Sequence, residues 1–239
     1  AKACCQAVAQ LAECDTRAVL PFSTGVIGQP LPVDKITNAL PEAFTKLAAD
    51  NWFAAAHAIM TTDTIAKARS VELSLNGQPI TLTGIAKGSG MIRPDMATLL
   101  SYIATDAAIS ASTLQKMLDV SMEQSFNSIT VDGDTSTNDA CVLIATGLAG
   151  NSIIDDIDSS DAQQFIEALN SLSRFLAQAI VRDGEGATKF ISIDVQQGAD
   201  ADECRQVAYT IAHSPLVKTA LFASDPNWGR ILAAVGRSG

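Results

Sequence analysis

The 239-residue sequence predicts a mixed α/β or α+β protein with substantial sheet. Three observations carry this. Stretches with apolar residues at helical spacing alternate with short apolar runs of strand length. An Asn76-Gly77 pair stands between two strand-like segments, and both residues tolerate the positive φ that a tight hairpin requires. With 47% apolar and 18% charged residues, there is enough material for a sizeable core. Propensity alone does not fix strand order.

Taken in order, Ala1 to Leu11 is alanine-rich and reads as a helix. Val33 to Asn51 carries Ile36, Leu40, Phe44 and Leu47 at helical spacing, with Pro41 weakening its middle. Val71–Leu75 and Ile80–Ile85 form the hairpin arms, and Thr98–Thr105 is a third strand. Thr113–Phe126 reads as a helix through Leu114, Met117, Leu118 and Met122, with Ser112 as its N-cap. Cys141–Thr146 is a buried-strand candidate. Asp161–Val181 has the clearest amphipathic pattern, in Phe165, Ile166, Leu169, Leu172, Leu176 and Ile180. Phe190–Val195 alternates as a half-buried strand, Asp202–His213 is helical, and Val217–Phe222 reads as a further strand. The acidic stretch Gly147–Ser160 marks a subdomain boundary, dividing a catalytic region (1–150) from a second α/β subdomain (151–239). Ala1 in place of Met, and an end at Gly239 just after an apolar run, suggest a piece of a longer chain.

Composition narrows the function. The net charge of −10 argues against a nucleic-acid or anionic-membrane surface. No apolar run reaches the ~18 residues that span a bilayer. Five irregularly spaced cysteines, with neither a CxxC pair nor a secretory leader, suit a reduced cytoplasmic setting. The two histidines, His57 and His213, lie in no metal-ligand pattern, so no metal is expected and each histidine is assigned a structural or surface role.

Four segments are rich in glycine and small polar residues: Ser23–Gly28, Thr61–Thr64, Ala86–Met91 and Asp183–Lys189. Such stretches expose backbone N–H groups and admit a ligand closely. Neither GxxxxGK[ST] nor GxGxxG occurs intact, which disfavours a nucleotide site. The residues around Asn127, Asp132, Asp134, Asn138 and Asp139 suggest a turn with hydrogen-bonding roles. Asp225–Arg230 suggests a compact turn with Trp228 as an aromatic anchor.

The most informative stretch is Arg93-Pro94-Asp95-Met96-Ala97-Thr98-Leu99-Leu100, where a proline turn leads into a threonine that opens an apolar strand. One reading is an ordinary β-branched strand residue. The other makes Thr98 an N-terminal nucleophile. Cutting the bond before it would free an α-amine with a reference pKa of about 7.7–8.0, and that amine can take the hydroxyl proton.

Six segments together carry a resemblance: Ser23–Gly28 (STGVIG), Thr61–Thr64 (TTDT), Gly84–Leu100 (GIAKGSGMIRPDMATLL), Asp132–Asp139 (DGDTSTND), Val181–Lys189 (VRDGEGATK) and Ser224–Arg230 (SDPNWGR). In this order they resemble ornithine acetyltransferase, also called bifunctional glutamate N-acetyltransferase. That resemblance implies a layered α/β/β/α fold, self-cleavage between Ala97 and Thr98, and Thr98 as the acyl acceptor. It implies that Thr24 and Gly25 form the oxyanion pair, and that Thr61, Lys87, Thr98 and Glu185 bind substrate.

The reaction so implied is a ping-pong transfer within arginine biosynthesis. Acetyl passes from N-acetylornithine to Thr98 and then to glutamate, without a cofactor; bifunctional members also take acetyl-CoA as donor. The cleaved halves are expected to stay together as a heterotetramer of two alpha and two beta chains in the cytoplasm. Two rivals stand beside this reading. One is an N-terminal-nucleophile aminopeptidase or amidase of related fold; the other is a non-catalytic ligand-binding fragment.

Overall fold

The computed structural model describes residues 1–93, 99–136 and 138–239. Its centre is a four-stranded sheet of β1 (Lys67–Leu75), β2 (Gln78–Lys87), β3 (Leu100–Thr105) and β4 (Ala140–Ala145), in that spatial order. The β1–β2 hairpin turns through Asn76 (φ 50°) and Gly77 (φ 82°). Two successive positive φ values match the right-handed twist of the arms, the geometry that the Asn-Gly pair predicts. β2 and β3 are antiparallel, and β3 and β4 are parallel. Their crossover contains α4 (Ala111–Glu123), as a parallel pair requires a long connection.

One face of the sheet is covered by α5 (Ser160–Arg182), and all six apolar residues of its predicted stripe are buried. Strand residues alternate accordingly, with Ile80, Leu82 and Ile103 pointing into the same core. Gly84 brings α5 close. A methyl group there would lie 3.1 Å from both Leu172 and Leu176 and 3.2 Å from Ile103. Each fully buried Leu, Ile or Phe stabilises this layer by about 1.5–3 kcal/mol relative to exposure. On the opposite face lies α3 (Trp52–Ala58), where Trp52 and Phe53 line a groove with Ala68, Ser70, Thr81 and Thr83. The α+β class and the layering of helices on sheet hold; among the described residues there is one sheet. α1 (Lys2–Leu11) packs against α2 (Val33–Thr45). A smaller cluster around Ile211, Val217 and Ala234 joins α6 (Ala201–Ala212), α7 (Pro215–Phe222) and α8 (Trp228–Val235).

Several elements differ from the sequence reading. The helix expected over 33–51 tolerates Pro41 but stops at Thr45, and Trp52 begins a separate one. α4 is capped by Ser110, whose side chain accepts from Thr113 N–H, and not by Ser112. Val217–Phe222 is helical, because Ser214 accepts from Val217 N–H and Pro215 occupies the first turn, where its missing N–H does no harm. Phe190–Val195 forms no strand, since no strand among the described residues pairs with it. Trp228 is 73% exposed rather than packed as an anchor; the turn is organised by Asn227, which caps α8 through Arg230 N–H.

Candidate active site

Pairing register brings one end of all four strands together. Lys67 pairs with Ala86, Lys87 with Leu100, and Leu100 with Ala140. The loops entering and leaving this end contain the small-residue segments that stood out in the sequence.

Lys87 ends β2 and donates from Nζ to Thr61 Oγ1 at 3.1 Å, which joins two of the expected substrate contacts. Glu185, the third, is tied to the turn after β2: its N–H donates to Ser89 O at 2.7 Å. Ser89 Oγ in turn lies 2.6 Å from Thr62 Oγ1. The Glu185 carboxyl rests directly against Gly90, where a methyl group would come within 2.6 Å of it. Glycine at position 90 is therefore what lets this carboxylate lie beside the turn.

A buried ion network supports this cluster. Lys67 Nζ lies 2.6 Å from Asp63 Oδ1 and 2.6 Å from Asp183 Oδ2, with side-chain exposures of 2%, 0% and 6% for Lys67, Asp63 and Asp183. Asp63 also accepts from Gly88 N–H at 2.7 Å and Thr61 N–H at 3.1 Å. Asp183, which follows α5, accepts from Thr64 N–H at 3.0 Å. Burial by itself would raise both carboxyls. The combined pull of these N–H groups and of Lys67 outweighs it and holds them below the ordinary aspartate value. The network fastens the Thr61 loop, the end of β2 and the segment leading to Glu185 to one another. Its members are separated by up to 120 positions in the sequence, and Lys67 lies outside the strand that the sequence predicts over Val71–Leu75.

The Ser23–Gly28 loop reaches the same end of the sheet. Asn138 Nδ2 donates to Ser23 O at 3.0 Å, and Phe22 stacks edge-on against Tyr102 of β3 at 5.7 Å. Thr24 and Gly25 are exposed on this loop. Ala97 and Thr98 lie outside the described residues, whereas Leu99, joined to Thr98, is buried at the mouth of β3. Four of the five expected site residues other than these two thus reach this end with a hydrogen bond or close contact described: Thr61, Lys87 and Glu185 directly, Thr24 through its neighbour Ser23.

The aspartates of the 132–139 turn divide. Asp132 has the hydrogen-bonding role expected of it, accepting from Met91 N–H at 2.6 Å and Ile92 N–H at 3.0 Å. This supports Met91 at its positive φ of 58°. Asp139 does not: both carboxylate oxygens are buried without a hydrogen bond of ordinary geometry. Burial pushes its pKa up to about 7 against the weaker opposing effects of the Leu99 N–H and the Lys87 ammonium. The histidines behave as read. His213 bonds Thr130 Oγ1 at 2.9 Å and stacks on Tyr209, and His57 meets Phe53. Among the described residues, no group of three or more His, Cys, Asp or Glu side chains is placed to hold a metal ion.

The profile of the ArgJ family matches residues 1–239. The chain belongs to the ArgJ family. It is 56% identical over its full length to the arginine biosynthesis bifunctional protein ArgJ of Pseudomonas syringae pv. tomato, and 57% identical to that of Methylococcus capsulatus. It covers 59% and 58% of those two proteins, so the chain spans less than two thirds of the relatives it matches. A crystal structure of the arginine biosynthesis bifunctional protein argJ from Bacillus halodurans is 46% identical, with a TM-score of 0.55 over 58% of this chain and 64% of that one. The ArgJ relationship agrees with the resemblance that the six sequence segments carry. Among the described residues, no helix is long and apolar enough to cross a membrane.

Proposed function

We propose that this chain carries the N-terminal-threonine half-site of an acetyltransferase that moves acetyl from N-acetylornithine to glutamate in arginine biosynthesis. The observation that supports this reading is the meeting of Thr61, Lys87 and Glu185 at the sheet end where β3 begins, two residues after Thr98. Lys87 supplies a cation for a substrate carboxylate, and Glu185 an anion for a substrate amine.

Cleavage between Ala97 and Thr98 frees the Thr98 amine. In its neutral form the amine takes the proton from the Thr98 hydroxyl, and the hydroxyl oxygen attacks the acetyl carbonyl of N-acetylornithine. Thr24 Oγ–H and Gly25 N–H donate to the oxyanion that develops. Collapse breaks the C–N bond, the proton passes to the departing ornithine amine, and acetyl remains on the Thr98 oxygen. Glutamate then attacks that ester with its own amine, giving N-acetylglutamate and restoring the hydroxyl. No cofactor takes part, and acetyl-CoA is the second donor to test. The cleaved halves stay associated in the cytoplasm as two alpha and two beta chains.

Assay of the full-length protein decides this. Acetylornithine-dependent acetylation of glutamate supports the reading, whereas deacetylation by water alone favours the amidase class. Denaturing mass analysis of active protein should show separation between Ala97 and Thr98, with the second piece beginning Thr-Leu-Leu-Ser. Thr98→Ala should abolish cleavage and transfer, and Thr98→Ser should retain part of both. An unbroken chain with full activity would overturn the mechanism.

A further inference from the structure

The oxyanion donors assigned to Thr24 and Gly25 sit on a loop with little regular structure of its own. Among the described residues, no backbone hydrogen bond engages residues 20–25, and both Thr24 and Gly25 are exposed. Such donors act only when they lie about 2.7–3.1 Å from the oxygen that becomes charged. A misplacement of about 1 Å can cost about a hundredfold in rate. Groups outside the loop must therefore place them.

Two contacts hold consecutive residues directly ahead of Thr24. Phe22 meets the Tyr102 ring edge-on, with centroids 5.7 Å apart and planes at 72°, a favourable aromatic arrangement. Ile103 packs into the core beneath α5, so Tyr102 beside it projects from the other face of the sheet. Asn138 Nδ2 donates to Ser23 O at 3.0 Å. Asn138 is itself held: its N–H donates to Ser136 Oγ at 3.3 Å. Two residues later, Ala140 N–H donates to Leu99 O at 2.9 Å as β4 begins. One anchor thus belongs to β3 and the other leads into β4, its parallel neighbour.

We propose that Asn138 and Tyr102 are positioning residues for the oxyanion donors, acting through Ser23 and Phe22. The inference rests on the acyl transfer proposed above. Ser23 O belongs to the planar peptide unit that joins Ser23 to Thr24, so holding that oxygen orients the whole plane. Only φ and ψ of Thr24 then separate the held plane from the Gly25 N–H. The Thr24 hydroxyl is separated from it by φ and χ1, and a β-branched χ1 is stiff. Ser23 O can only accept, so it needs the NH2 side of the Asn138 amide. Thr61, Lys87 and Glu185, assigned to substrate, are held by separate contacts. Loss of an anchor therefore slows passage through the transition state and leaves ground-state binding in place.

The test measures acetyl transfer from N-acetylornithine to glutamate in the full-length protein. Asn138→Ala should lower kcat about 10- to 100-fold with KM nearly unchanged, the pattern of an interaction felt only in the transition state. Tyr102→Leu should act in the same direction, and Tyr102→Phe, which keeps the ring, should restore the rate. The double variant with Thr24→Ala separates positioning from general damage. Once the Thr24 donor is gone, Asn138→Ala should cost at most about fivefold more, because the two residues act as a unit. Fully multiplicative losses, a raised KM with unchanged kcat, or a wild-type rate in Asn138→Ala would overturn the proposal. A wild type without transfer, or Thr24→Ala at full rate, would instead sink the underlying reading and this inference with it. Should Asn138→Ala fail to fold or to cut, the Tyr102 pair decides: a slow leucine variant beside a fast phenylalanine one supports positioning, and two equal rates refute it.

Discussion

Replacing Lys67 by Met tests whether the buried ion network holds the site end of the sheet together. Methionine keeps most of the side-chain volume but removes the charge. Two carboxylates, 0% and 6% exposed, are then left in one pocket without their shared cation. Breaking a buried pair by deleting one partner costs about 3–5 kcal/mol. Asp63 keeps its two N–H donors, from Thr61 and Gly88, and Asp183 keeps the one from Thr64, so the loss should fall at the lower end, about 3 kcal/mol. Against a total stability of about 5–15 kcal/mol this is readily measured by urea unfolding followed by circular dichroism.

The pH dependence fixes the sign. In wild type both carboxyls are held below their unfolded value of about 3.9. Their contribution is therefore complete above that pH and is lost as pH falls through the still lower folded values. In Lys67→Met the same carboxyls lose the cation and rise, so acidification relieves the variant. The gap between the two proteins should be widest at pH 7 and narrow toward pH 4. A deficit under about 1 kcal/mol at pH 7 would mean that the network contributes no more than an exposed pair, refuting the argument.

Other outcomes follow from the site geometry. Thr24 is exposed, so Thr24→Ala should leave the unfolding curve nearly unchanged while slowing acetyl transfer by about two to three powers of ten; an unaffected rate returns Thr24 to a turn residue. Gly90→Ala drives a methyl group into the Glu185 carboxyl, the far end of a flexible side chain. The fold should therefore survive, while the apparent affinity for the substrate amine falls about tenfold or more, the effect of losing one hydrogen bond to a charged group. Steady-state KM against thermal stability separates the two effects, and a variant with wild-type KM would remove Glu185 from the binding role.

The sequence by itself determined the local elements whose signal is periodicity or turn chemistry. The α5 stripe from Phe165 to Ile180 is buried residue for residue, because one amphipathic face leaves a 23-residue helix one way to lie on a sheet. Asn76-Gly77 made the hairpin, since few other pairs tolerate its backbone angles. The six segments also carry the family membership. Short apolar runs were not legible in this way. Val217–Phe222 and Phe190–Val195 both read as strands in the sequence, yet a Ser-Pro start makes the first a helix, and the second pairs with no strand among the described residues. Only the tertiary structure decided which charged residues share a site. Lys67 meets Asp183 across 116 positions, and Asp139 is left without a hydrogen bond of ordinary geometry beside the mouth of β3 while Asp132, seven residues earlier, accepts from Met91 and Ile92. Periodicity reports which face of an element is apolar, whereas strand register and burial decide which carboxylate finds a partner and which is left without one.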